Sequence, residues 1–186
     1  SSLRCAGRFT EALAVADRAL AAYEVFGPQV TLVSSSVIGM VQCSVHVDAG
    51  SMEVALAYGD ATRDAALLSG DPSAHGLAEL VRSDALTVTG RLTDALAAAR
   101  AAESTFVDLR HTAFLRWAVI QRGLVAVEAH DTAGVDAAIA DLDALGRHPA
   151  ELFEYSEVVL RSWQAHLRGD TAVARAMLLD TAPRLL

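Results

Sequence analysis

Lysine and asparagine are both absent from this 186-residue chain, and all 15 of its basic residues are arginine. Without lysine, no phosphate-cradling Gly-x-x-x-x-Gly-Lys-[Ser/Thr] loop can exist, which excludes that route to nucleotide chemistry. The arginine bias also fits a GC-rich bacterial genome. Basic charge is in deficit: the net charge is -8 and the pI about 5.1. A surface that tracks nucleic-acid phosphates needs the opposite balance, so no direct nucleic-acid contact is expected. Cysteine is limited to Cys5 and Cys43, too few for a disulfide framework and suited to a reducing, cytoplasmic compartment. No apolar run reaches the length of a membrane span, and no signal peptide is visible. The longest candidate, Val30 to Val47, is broken by Ser34, Ser35, Ser36, Gln42, Ser44 and His46. Aromatics make up only 5% of the chain, and little apolar/polar alternation is present, which argues against sheets.

What is present is alanine, leucine and a repeat. The hydrophobic fraction is 53% and the mean hydropathy +0.32, ample for a core. The stretch Thr89-Gly90-Arg91-Leu92-Thr93-Asp94-Ala95-Leu96 reads as the corner of a helical hairpin. It is matched upstream by Gly7-Arg8-Phe9-Thr10-Glu11-Ala12-Leu13 and Gly50-Ser51-Met52-Glu53-Val54-Ala55-Leu56. Weaker copies stand at His130-Asp131-Thr132-Ala133-Gly134-Val135 and Gly169-Asp170-Thr171-Ala172-Val173-Ala174. The steps between copies are 43, 40, 40 and 39 residues. A fixed period in this range marks stacked helix pairs.

The apolar spacing and the Gly/Pro punctuation predict nine helices over 9–25, 29–48, 52–68, 73–89, 92–107, 110–129, 132–145, 150–168 and 171–181. Thr10 is expected near the first N-cap. Gly27-Pro28, Gly70-Asp71-Pro72, Pro149 and Pro183 punctuate the pairs. The chain opens on Ser1-Ser2-Leu3-Arg4 without an initiator Met. Residues 1–186 are therefore expected to be one repeat domain cut from a longer protein, with half a hairpin missing at the front.

Aligning the copies exposes three columns. Five residues after the corner stand Ala12, Ala55, Ala95, Val135 and Ala174. Seven before it stand Cys43, Ser83, Gly123 and Ser162. Small residues at both places let the two helices of a pair approach closely. Eight before the corner stand Gln42, Arg82, Arg122 and Arg161. Arginines in register would form a ladder for carboxylates or phosphates. The competing and favoured expectation is that they are solvated or paired within the protein, Arg82 with Glu79 and Arg161 with Glu157 along their own helices. Trp117 and Trp163, each close to an arginine, are expected in interhelical packing, with an aromatic-plus-guanidinium groove as the alternative.

The columns resemble those of the tetratricopeptide repeat: a small residue in the first helix, Gly at the turn, Ala early in the second helix. Phe9, Met52 and Leu92 match the large residue that follows the Gly; Thr132 and Thr171 depart from it, and the period exceeds the usual 34. The resemblance implies an all-α fold, a right-handed α-α superhelix (solenoid) of tetratricopeptide-like hairpins. The phrases AGRFTEALAVADRALAAYE and TGRLTDALAAARAAE further resemble the helical-repeat region of large ATP-binding LuxR-type, maltose-regulator-like transcriptional regulators of actinobacteria. That likeness implies an interaction or effector-sensing region working with an ATPase module and a helix-turn-helix domain, neither of which lies in these residues. The implied partners are a protein or peptide, or else a small inducer, with homodimerisation open and no membrane involved. The alternative is a structural or dimerisation arm of a multidomain signalling enzyme, a nucleotide cyclase or an ATPase.

No motif points to catalysis, metal or cofactor. His46, His75, His111, His130, His148 and His166 show no His-x-x-x-His pair, and there is no Cys-x-x-Cys. His46-Val47-Asp48 is too small a ligand set. Ser34-Ser35-Ser36 lacks a nucleophile elbow and is expected to serve packing. Asp141, Asp143 and Glu151 are expected to be surface charges, not an acid/base pair.

Overall fold

The computed structural model describes residues 7–26, 32–146 and 151–181, with the side chains of 23–26, 32–37 and 151–155 left out of that description. Cys5, the Gly27-Pro28 corner, Pro149 and Pro183, and the side chains of Ser34, Ser35, Ser36 and Glu151, lie outside the described residues. Among the described residues the protein is an all-α helical repeat of nine helices and no strands. They are α1 (Phe9–Phe26), α2 (Leu32–Asp48), α3 (Met52–Ser69), α4 (Pro72–Val88), α5 (Leu92–Asp108), α6 (Thr112–Glu128), α7 (Thr132–Ala144), α8 (Glu151–Leu167) and α9 (Thr171–Thr181). None of them is long and apolar enough to cross a membrane.

These spans follow the expected ones to within a few residues. Several expected helices run one residue past the observed end. The reason is that the cap residue still donates an α-type bond: Thr89 to Ala85, Ala129 to Val125, Leu145 to Asp141 and Arg168 to Gln164. At the front Thr10 lies two residues after the cap position, near it as expected. The helix begins at Phe9, and Arg8 stands at the cap position, its carbonyl accepting from the Ala12 amide at 3.0 Å. Thr10 therefore lies inside the first turn.

The chain divides into two compact units, residues 1–109 and 110–186. In the first unit α2 packs on α3 and α4 on α5 as hairpins, while α2 also lies against α4 and α1 against α2. In the second unit α6–α7 and α8–α9 are the hairpins, and α6 lies against α8. In each unit, then, the first helices of successive pairs pack side by side.

The corners share one hydrogen-bond design. Ser51 N–H reaches His46 C=O at 2.8 Å while Gly50 N–H reaches Val47 C=O at 3.0 Å. The same two bonds recur at Gly90-Arg91, His130-Asp131 and Gly169-Asp170. This is the Schellman termination, and it needs a left-handed residue just past the cap. Gly50, Gly90 and Gly169 supply it with φ of 76°, 75° and 88°, and His130 is held there at φ 53° without the glycine.

The two small-residue columns lie buried where the helices of a pair cross. Ser83 and Ala95 are both 0% exposed, and the Ser83 hydroxyl donates to the Ala95 carbonyl at 2.9 Å. Cys43 and Ala55 repeat the contact, the thiol donating to the Ala55 carbonyl at 3.2 Å. In the α6–α7 hairpin of the second unit the bulk is redistributed. Val135 is fully buried where the other copies have Ala, and the first helix carries Gly123. A Cβ on Gly123 would stand 2.6 Å from a Leu160 methyl and 3.1 Å from the Ala138 Cβ.

Candidate functional site

The polar column is engaged throughout, and its partners lie mostly on neighbouring helices. Gln42, buried on α2, donates to Asp17 on α1 at 2.9 Å. Arg82 on α4 donates to Asp60 on α3 at 2.7 Å. Arg161 on α8 reaches Asp143 on α7 at 2.5 Å. Arg122 on α6 reaches Asp141, also on α7, at 2.5 Å. Asp17 and Asp60 both stand ten residues after their corners, an acidic column beyond the three that the repeat period brings out. Its signal is present in only two copies: the third has Arg100 and the fourth Ala140. Chemically the column forms a seam from a first helix to a second helix. An anionic ligand could take these guanidinium forks only by displacing carboxylates already bound to them.

The two expected intrahelical pairs fare differently. Glu79 does face Arg82, at 3.7 Å, but it also receives Arg63 at 3.1 Å and His75 at 3.6 Å. Only 8% of its side chain is exposed, so two arginines and a histidine gather on one buried carboxylate. Glu157 turns away from Arg161 to Arg116 on α6. Arg116 is 1% exposed, and its Nε and Nη2 have no hydrogen-bond partner among the described residues. This part-buried pair joins the two first helices of the second unit. Asp136 on α7 accepts from Gln164 at 2.6 Å and Arg168 at 2.8 Å, both from the end of α8. Those hydrogen bonds, Gln164 first and then Arg168, hold its carboxyl below the ordinary aspartate range.

Trp117 is partly buried against the core of the second unit, around Val119, Ile120 and Val135. Trp163 is 41% exposed and meets His166 edge-on at 5.5 Å. It lines a groove of about 450 Å³ between α8 and α9, with Ser162, Ala174, Arg175, Leu178 and Leu179. Residue spacing alone leaves Trp163 as packing or as one wall of an aromatic groove, and does not join it to α9. The leucines of α9 have the spacing of an ordinary helix face, and only their exposure sets them apart.

Among the described residues no group of three or more His, Cys, Asp or Glu side chains converges for a metal ion. His46 stacks on Tyr58 with ring centroids 5.3 Å apart. Asp141 and Asp143 are each occupied by an arginine. No family model matches this sequence, and no curated protein or solved structure matches it either.

Proposed function

We propose that this array is a non-catalytic interaction scaffold whose ligand is an amphipathic helix of a protein partner. The observation that carries the reading is the groove between α8 and α9. Upstream, the corresponding face of a hairpin receives another helix: α4 lies on α2–α3, and α8 on α6–α7. On the α8–α9 hairpin no described helix lies on that face, and Trp163, Leu178 and Leu179 are 41%, 41% and 58% exposed. Apolar side chains lining a concave groove favour a helix laid in by its apolar face. The likeness of the repeats to LuxR-type regulators supplies a setting, in which such binding is sensed by attached modules.

The test is a titration of the protein with a panel of amphipathic helical peptides, read by Trp163 emission in a Trp117→Phe background. A saturable blue shift for at least some apolar-faced peptides is expected, and Leu178→Asp should remove it. If none of the peptides shifts the emission, or if Leu178→Asp leaves the response intact, the scaffold reading fails.

A further inference from the structure

Arg116 carries a whole hydrogen-bonding edge that none of the described residues uses. Its Nη1 donates to Glu157 on α8, while Nε and Nη2 are buried without a partner among the described residues. Those two nitrogens hold the parallel N–H pair along one side of the planar fork. That edge matches the two oxygens of a carboxylate. The side chain is only 2% exposed, so bulk water does not answer it, and a buried charged donor left unmade is costly. The repeat register shows how the edge arises. Arg116 stands fourteen residues before its corner, where α4 has Gly76. In the α4–α5 hairpin the Phe106 ring packs there, its Cζ 2.7 Å from where a Gly76 Cβ would be. Phe106 stands sixteen after its corner, and its counterpart is Gly146, because α7 has 13 residues where α5 has 17. In register, then, a guanidinium stands in the second unit where the first unit packs a phenyl ring. A ring needs no partner; a guanidinium has five N–H groups to satisfy.

We infer that the second unit binds a small carboxylate, of formate size, on the Nε–Nη2 edge of Arg116. The edge selects the chemistry: two parallel donors on a permanent cation favour a planar anion with two oxygens. Burial selects the size, since a side chain this enclosed admits only a few atoms beside it. Glu157 opposes a second anion, but its side chain is 20% exposed and therefore partly screened. The edge is assembled only when α6 and α8 are packed, so the bound anion stabilises the folded unit by mass action. Arg116 does not line the α8–α9 groove, and this site stands or falls independently of the scaffold reading.

The test titrates the full chain with sodium formate at constant ionic strength. Urea unfolding reads stability, and the line width of carbon-13 formate reads binding directly. Above the dissociation constant, each tenfold rise in formate should raise the folding equilibrium constant about tenfold. The double variant Arg116→Met with Glu157→Leu should show neither that response nor the line broadening. Arg116→Lys keeps the charge without the fork and should weaken formate binding at least about tenfold. Glu157→Gln removes the opposing charge and should tighten it by about tenfold. Identical responses from the unaltered protein and the double variant overturn the site, as they would if an ordered water satisfied the edge. Unchanged or weaker formate binding in Glu157→Gln overturns it as well. A response to chloride with none to formate overturns the carboxylate assignment.

Discussion

The two units solve one packing problem with different residues. In the first, each hairpin sets Cys or Ser against the backbone carbonyl of an Ala: Cys43 on Ala55, Ser83 on Ala95. In the α6–α7 hairpin of the second, Val135 fills the space from the second helix, and Gly123 removes a side chain from the first; α8–α9 keeps the small pair Ser162 and Ala174. What persists is the combined volume at the crossing, as expected for an interior packed to crystal-like density. The corners diverge as well. Arg8 pairs with Glu11 at 2.5 Å, and Arg91 with Asp94 at 2.7 Å, across the first turn of α1 and α5. In the second unit the residue at that place is an aspartate that caps the helix. Asp131 accepts from the Gly134 amide at 3.0 Å, and Asp170 from the Val173 amide at 3.3 Å. A capping carboxylate satisfies an orphan amide, whereas a surface ion pair does not, so the second unit's starts are better fixed.

The largest expected difference concerns how ion pairs are used. Glu157→Ala strands the buried Arg116 and should cost about 3–5 kcal/mol, read by urea denaturation. The double variant Arg116→Met with Glu157→Leu should recover most of that loss. In the first unit Arg91→Ala breaks only an exposed pair and should change stability by under about 1 kcal/mol. Equal losses at the two sites would erase the contrast.

Exchanging the packing residues comes next. Ala95→Val imports the second unit's side chain opposite Ser83 and should destabilise by about 1–3 kcal/mol through overpacking. Adding Ser83→Gly should restore part of the loss, and purely additive effects would show that the two columns do not share one volume. Ala95→Trp should be worse than Ala95→Val.

Smaller effects belong to the corners. His130→Gly should stabilise the protein by about 1 kcal/mol, since only glycine enters the left-handed region without strain. Gly90→Ala should destabilise by a similar amount, about 1 kcal/mol, for the same reason. Thermal melting resolves both signs. The least is expected from Asp136→Asn. The folded-state pKa of Asp136 is depressed by Gln164 and Arg168. Its contribution is therefore complete above the ordinary aspartate pKa of about 4 and lost as pH falls through the lower folded value. The variant should flatten the acid limb of stability against pH and leave the slope near neutrality unchanged.

Much of the architecture was legible in the sequence because the constraint is local. A left-handed corner selects glycine, a tight crossing selects a small side chain, and both recur at one period. Those two rules alone bring Ser83 against Ala95. The polar column was legible as a column but not as a seam, because its partners sit 18 to 25 residues away on other helices. Intrahelical spacing favoured Glu157 for Arg161, yet Arg116 captured it across the helix interface. A buried guanidinium has no water to fall back on and outcompetes a half-exposed one for a carboxylate. The groove was hidden for a different reason. An apolar residue on a helix is core or ligand surface depending on what covers it, and Leu178 looks the same in either role.

Cys43 gives the array a built-in gauge. Its sulfur is 0% exposed and shared between the carbonyls of Ala55, at 3.2 Å, and Val81, at 3.8 Å, so three helices close over one thiol. A maleimide can reach it only while α2, α3 and α4 have parted. In a Cys5→Ser background, the alkylation rate would therefore clock the breathing of that hairpin stack, opening by opening.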